Sequence, residues 1–309
     1  MNVAVDVTPL RLTRAGTARY LEALLERIPV RRLAFGGAGR AGVLARELWW
    51  YPLALSRFDG ADVLHCPTYY GPLRPQVPTV VTVHDVAVLR HPEWFPRWTR
   101  NYAPRVVPHA IRAAARVIAV SAFTAGEVER LLGVPRDRIR VVPNGVEPVF
   151  APDGPRTEGE YALAVGTLEP RKNLARAALA AKRAGVELRV VGDVGWGGVD
   201  TGGATWLGRV DDEELARLYR GARCLVYPSL YEGFGLPVAE ALACGTPVVT
   251  SRGSAMAELA GGAAVLVDPL DVDDIARGIR EAHGPVEFAP PSWDDTARLT
   301  LEVYREAAA

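Results

Sequence analysis

Short runs, most of them continuously apolar, recur along this chain, with helix-period stretches between them. They fall at 3–7, 63–66, 80–83, 117–120 and 139–142, and again at 161–165, 187–191, 224–227, 247–250 and 264–267. A run that is apolar at every position, rather than at alternate ones, suits a parallel strand covered on both faces. Helix starts sit between several of these runs. Asp211-Asp-Glu-Glu214 reads as a capping box, and the segments from Ser121 and Asp271 open in the same way. Repeated strand–helix–strand units predict an α/β fold of doubly wound sheets, and the pattern occurs twice. At 309 residues the chain exceeds the usual single-domain size. The Pro, Gly and Asn cluster at 143–156 places the join, giving domains at 1–150 and 151–309.

No apolar run approaches the ~18 to 20 residues of a membrane span. The start, Met-Asn-Val-Ala-Val-Asp-Val-Thr, lacks the basic opening of a signal peptide. Cys66, Cys224 and Cys244 are widely spaced and lie in or beside apolar runs, which predicts reduced core thiols in a cytoplasmic protein. Net charge is zero, but residues 1–150 hold 20 Arg against 12 Asp and Glu, leaving +8, and the second half carries −8. A basic first half fits an anionic partner, a lipid surface or a diphosphate-linked acceptor, as well as it fits solvated surface charge. No basic block interleaved with aromatics is dense enough for nucleic acid.

The richest stretch is Pro228-Ser-Leu-Tyr-Glu-Gly-Phe-Gly-Leu-Pro-Val-Ala-Glu240, a strand end, a glycine loop and a helix start. Gly233 and Gly235 let backbone approach a ligand, and the first N–H groups of the helix favour an anion. Glu232 and Glu240 bracket this turn, and carboxylates grip hydroxyl donors. An anion site beside hydroxyl acceptors describes a nucleotide-sugar. Val165-Gly-Thr-Leu-Glu-Pro-Arg-Lys-Asn-Leu174 puts Arg171 and Lys172 at a loop tip, as phosphate ligands or as a solvated pair. Thr82-Val-His-Asp85 ends a strand, where such sheets carry functional side chains. The aromatic, basic segment with Trp94, Phe95 and Trp98 reads either as an interfacial patch or as a helix packed on the core. Val190-Val-Gly-Asp-Val-Gly-Trp-Gly-Gly198 does not match a dinucleotide fingerprint. Asp271-Val-Asp273 reads as a helix cap, so no metal site is expected.

Set within Pro-Ser-x-x-Glu-Gly-Phe-Gly-Leu-Pro-x-x-Glu-Ala, the Glu232-x7-Glu240 spacing resembles the E-x7-E motif of family-4 retaining glycosyltransferases. The resemblance covers nearly the whole chain and is strongest over 161–270. It implies the GT-B fold, two Rossmann-like domains facing across a cleft, with a terminal helix at about 293–308 crossing back to the first domain. It implies a metal-independent, retaining hexosyltransferase without a cofactor, acting on a nucleotide-sugar donor, first of all GDP-mannose, and a glycan or polyprenyl-linked acceptor. In that family's terms Glu240 holds the ribose, and Glu232 with Gly233, Phe234, Gly235 and Leu236 holds the sugar. Lys172 and Arg171 stabilise the departing diphosphate, which Gly16 approaches. Backbone near Arg209 and Val210 holds the base, and His84 contacts the donor sugar, with Asp85 orienting the imidazole or the acceptor. Thr167 departs from the pattern, since many relatives carry arginine there. A catalytically silent donor-binding subunit and a GT-B-like epimerase are the alternatives, and contact with the inner face of a membrane is a further expectation.

Overall fold

The computed structural model describes residues 1–12, 16–37, 39–195, 198, 200–284 and 286–309. The chain divides into two compact units, Met1–Gly145 with Pro291–Ala309, and Val146–Pro290.

The first unit is built on six parallel strands: β1 (Val3–Asp6), β2 (Arg31–Leu33), β3 (Val63–Cys66), β4 (Thr79–Val83), β5 (Arg116–Ala119) and β6 (Ile139–Val141). They lie in the order β2-β1-β3-β4-β5-β6. Between them run α1 (Gly16–Arg27), α2 (Gly39–Ala45), α3 (Ala87–Arg90), α4 (Arg97–Ala113) and α5 (Ala122–Leu132). Every residue of β1, β3 and β4 is buried, as a strand covered on both faces requires. Ser121 caps α5 by accepting from the Thr124 N–H at 3.0 Å.

The second unit repeats the plan with β7 (Tyr161–Val165), α6 (Leu174–Ala184), β8 (Glu187–Val191), β9 (Thr205–Gly208), α7 (Asp212–Gly221) and β10 (Cys224–Tyr227). It continues through α8 (Leu236–Ala243), β11 (Val248–Ser251), α9 (Ala255–Ala260), β12 (Ala264–Val267) and α10 (Val272–Glu281). Its parallel order is β12-β11-β10-β7-β8-β9, so both sheets change winding direction about a central strand. Asp211 caps α7 through the Glu214 N–H at 2.8 Å. Asp271 caps α10 through two N–H groups, and Asp273 pairs with Arg183, so the D-x-D segment closes a helix start.

The interior strands lie where their apolar runs predict, within a residue or so at each end. Two strands that the runs do not reveal are β2 and β9, each at the edge of its sheet. Their side chains are mostly exposed, so only backbone pairing identifies them.

The last helix, α11 (Trp293–Ala308), is part of the first unit and packs on α1 and on β3, β4 and β5. Trp293 is buried at its start, and a Cβ on Gly145 would come within 2.3 Å of the Trp293 nitrogen. Only glycine allows that approach. The three cysteines are buried and unpaired.

Candidate functional site

In the second unit the singled-out residues gather beyond the carboxyl ends of β7, β8, β9 and β10, the end at which such sheets hold ligands. The loop after β7 interlocks with the loop after β8. The Gly166 N–H donates to the Val191 carbonyl at 2.9 Å, and the Leu168 N–H to the Asp193 carbonyl at 3.0 Å. A Cβ on Gly192 would meet the Gly166 oxygen at 2.0 Å, so the two loops touch through bare backbone. Thr167 is half-buried in this crossing.

The same loop then forms a single tight turn at Pro170–Lys172 and enters α6 through Asn173, whose φ of 58° is left-handed. Asparagine tolerates that conformation better than most residues. Its side-chain amide donates to the carbonyls of Pro228 at 3.0 Å and Pro269 at 2.6 Å, so one residue ties three loops together. The turn sends Arg171 and Lys172 back toward the loop after β10.

There they meet Glu232. Lys172 Nζ lies 2.6 Å from Glu232 Oε1, and Arg171 Nη1 lies 2.6 Å from Oε2. The Tyr227 hydroxyl donates to Oε1 at 3.1 Å and accepts from Lys172 at 2.6 Å. Arg171 also pairs with Glu169 at 2.7 Å. Two carboxylates thus balance two cations in a nearly closed place, where the Glu232 side chain is 9% exposed and that of Lys172 10%. Burial alone would push the Glu232 carboxyl up, but Arg171 and Lys172 overcome it and hold it down at about 2. Burial lowers the Lys172 ammonium, against the pull of Glu232. Charged hydrogen bonds this short keep the Glu232 carboxylate ionised.

Eight residues on, Glu240 is buried inside α8 and accepts from the Tyr219 hydroxyl at 3.0 Å, apart from the Lys172 cluster. Gly235, with φ 96°, forms the entry to α8, and a Cβ there would meet Met256 at 2.7 Å. Leu236 is the first residue of α8 and Pro237 follows, so the opening turn has one N–H fewer to satisfy. Phe234 is buried beneath the loop. Arg209 reaches Asp193 of the β8 loop at 3.3 Å on the surface, with Val210 half-buried beside it.

In the first unit His84 follows β4 and its Nε2 lies 3.0 Å from the Pro67 carbonyl. Burial lowers its pKa below 6.5, against the opposing effects of that carbonyl and of Asp85. Asp85 accepts from the Ala87 N–H at 2.9 Å, opening α3, so the ring is oriented by Pro67 and not by the carboxylate. Gly16 begins α1, while residues 13–15 of its loop, like Trp196 and Gly197 of the 190–198 stretch, lie outside the described residues.

Trp94 stacks on His91 at 4.0 Å and is half-buried, as is Phe95. Trp98 is exposed on one side, stacks on Tyr102 at 5.7 Å and donates its indole N–H to Glu47. More exposed apolar surface lies on the helical stretch beside it, at Leu44, Leu48, Trp49 and Leu53. No helix among the described residues is long and apolar enough to cross a membrane.

Sequence reasoning missed Glu169, Tyr227, Asn173 and Tyr219. The first three stand in or beside the motifs already quoted, but nothing local marks them as partners of Arg171, Lys172 and the neighbouring loops.

Comparison with known proteins gives the family and the fold. Residues 147–283 match the family model for glycosyl transferases group 1, and residues 5–150 match that for glycosyltransferase family 4. An O-antigen chain mannosyltransferase B of Escherichia coli is 32% identical over 283 residues, covering 79% of this chain and 74% of that protein. Among solved structures, a sucrose-phosphate synthase from Thermosynechococcus elongatus superposes with a TM-score of 0.68 at 18% identity, covering 99% and 94% of the two chains. The Anabaena protein HepE in complex with UDP-glucose gives 0.66 at 17% identity, covering 99% and 95%.

Proposed function

The chain belongs to glycosyltransferase family 4 and has the GT-B fold, and on that premise we propose that it moves mannose from GDP-mannose to a glycan or polyprenyl-linked acceptor. In this reading the transfer retains the anomeric configuration and uses no metal. The donor nucleotide occupies the carboxyl end of the second sheet. Glu240 takes the ribose hydroxyls, and Glu232 with the 233–236 backbone takes those of the sugar. Mannose is favoured by the likeness to the O-antigen mannosyltransferase, and a nucleotide-sugar donor by the UDP-glucose bound to HepE.

The observation that carries the proposal is the balanced cluster of Lys172, Arg171, Glu232 and Glu169. As the sugar–phosphate bond breaks, negative charge grows on the departing diphosphate and oxocarbenium character grows on the sugar. Preorganised cations stabilise the first change, in a site where little water competes. Glu232 sits between the two developing charges. It holds Lys172 and Arg171 in place, and its acceptor lone pairs suit sugar hydroxyls. The exposed apolar stretch at Leu44, Leu48, Trp49 and Leu53, with Arg40 nearby in sequence, supports peripheral contact with an anionic membrane surface.

The test is nucleotide release from GDP-, UDP-, ADP- and dTDP-sugars, with a membrane-lipid extract as acceptor source. Release from GDP-mannose that depends on the extract is the expected result. Saturable donor binding with no release from any sugar would overturn it in favour of a silent subunit.

A further inference from the structure

Beneath His84 runs a continuous buried chain of hydrogen bonds that the transfer reaction, as described, does not use. Tyr304 on α11 lies 2.7 Å from His65 Nδ1, and His65 Nε2 lies 2.8 Å from the Thr82 hydroxyl. Thr82 in turn lies 3.0 Å from the Tyr20 hydroxyl. All four side chains are essentially inaccessible to water. The chain therefore leaves α11 at Tyr304, crosses β3 and β4, and ends at Tyr20 on α1.

With a neutral His65 ring, which carries one N–H, each contact pairs one donor with one acceptor in either sense along the chain. Burial, with some help from His84, lowers the His65 pKa to about 3, so a neutral ring with one N–H is the form present near neutral pH.

The Tyr20 ring, held in this way, meets the His84 ring edge-on, with centroids 4.9 Å apart and planes at 81°. On its other side His84 donates Nε2–H to the Pro67 carbonyl, which can only accept. Its Nδ1 therefore carries the lone pair, and it makes no hydrogen bond among the described residues. A partly exposed neutral imidazole held in this tautomer accepts a hydroxyl proton and offers no donor to a ligand.

We infer that Tyr20, Thr82, His65 and Tyr304 are positioning residues that hold the plane of the His84 ring, whose tautomer the Pro67 carbonyl sets, so that the seat of the terminal helix α11 controls where an acceptor nitrogen points at the carboxyl end of β4. The inference rests on the reading of His84 as a contact to the donor sugar. Its own evidence is the buried chain.

Imidazole nitrogen NMR of the ligand-free, full-length protein tests it, with the His84 signals assigned through His84→Gln. The wild-type ring should show one Nε2–H tautomer. Tyr304→Phe and Tyr20→Phe each delete one hydroxyl and keep the ring, and each should shift or broaden the His84 nitrogen signals. If Tyr304→Phe does not fold, Tyr20→Phe at the other end of the chain decides. Unchanged His84 signals in folded variants, or a wild-type Nδ1–H tautomer, would overturn the inference. Kinetics with GDP-mannose give a second arm. Each variant should lose about five- to tenfold in kcat/KM, the scale of one buried hydrogen bond. That loss should vanish in a His84→Ala background, whereas undiminished loss there would mean that the chain acts elsewhere. Full activity in His84→Ala would remove the sugar-contact reading of His84, and the nitrogen spectra would still decide the positioning chain.

Discussion

Replacing Lys172 by Met keeps the aliphatic stem and deletes the ammonium that sits 2.6 Å from Glu232 and 2.6 Å from the Tyr227 hydroxyl. Breaking a buried ion pair by removing one partner commonly costs about 3–5 kcal/mol. Glu232 keeps Arg171 at 2.6 Å and the Tyr227 hydroxyl at 3.1 Å, so the loss should fall at or just below the low end of that range, ~2–3 kcal/mol. Glu232→Gln leaves two cations facing a neutral amide, and ~3–5 kcal/mol is expected. In the double variant both charges of the Lys172 pair are gone. Its destabilisation should be smaller than the sum of the single losses by ~2 kcal/mol, the coupling expected of contacting residues. Activity should behave differently. Each single change should lower kcat/KM ~100-fold, the scale of one lost preorganised contact, and the double should recover nothing. Urea denaturation followed by circular dichroism measures the first quantity, and nucleotide release from GDP-mannose the second. Stability that recovers while activity does not would separate the structural role of the pair from its catalytic one. Strictly additive stability losses would refute the coupling read from the geometry. A Lys172→Met enzyme within threefold of wild type would refute its part in leaving-group stabilisation.

Three further outcomes follow from the same residues. The folded Glu232 carboxyl at about 2, against an ordinary 4.5, contributes about 3 kcal/mol that is present above pH ~4.5 and lost as pH falls through ~2. Wild type should therefore lose more stability than Glu232→Gln between pH 4.5 and 2 in acid titrations followed by circular dichroism, and parallel curves would contradict the pairing. Transfer should persist in excess EDTA if, as proposed, Arg171 and Lys172 take the role that a divalent cation would play, and activity lost to EDTA but restored by Mg²⁺ or Mn²⁺ would overturn the metal-free reading. Changing Leu48, Trp49 and Leu53 to Ser should cut co-sedimentation with phosphatidylglycerol vesicles at least tenfold, whereas Trp94→Ser, already stacked on His91, should change little.

What the sequence made legible depended on how each residue's physics is distributed along the chain. β4 and β10 announce themselves because burial on both faces leaves a nearly continuous apolar run. β2, Arg-Arg-Leu, and β9, Thr-Trp-Leu-Gly, do not, because an edge strand is held by backbone bonds that any residue can make. Helix starts at Asp211 and Asp271 were legible because a cap is a contact over two or three residues. The site divides in the same way. Glu232 and Glu240 share one stretch, and Arg171 and Lys172 another. That Glu232 takes both cations is a contact across about sixty residues, which no local pattern records. Asn173 stands at a helix entry, and its left-handed backbone aims its amide at two carbonyls far away in sequence. His65 is a more extreme case. It stands inside an apolar run and reads as a core residue, and its partner Tyr304 lies 239 positions away. A buried polar group is costly unless it is paired, so each such group in this chain implies a partner whose identity only the fold can supply. Those implied partners, Glu169 and Tyr227 around the cations and Tyr304 behind His84, are the residues through which the fold sets the chemistry of the motifs.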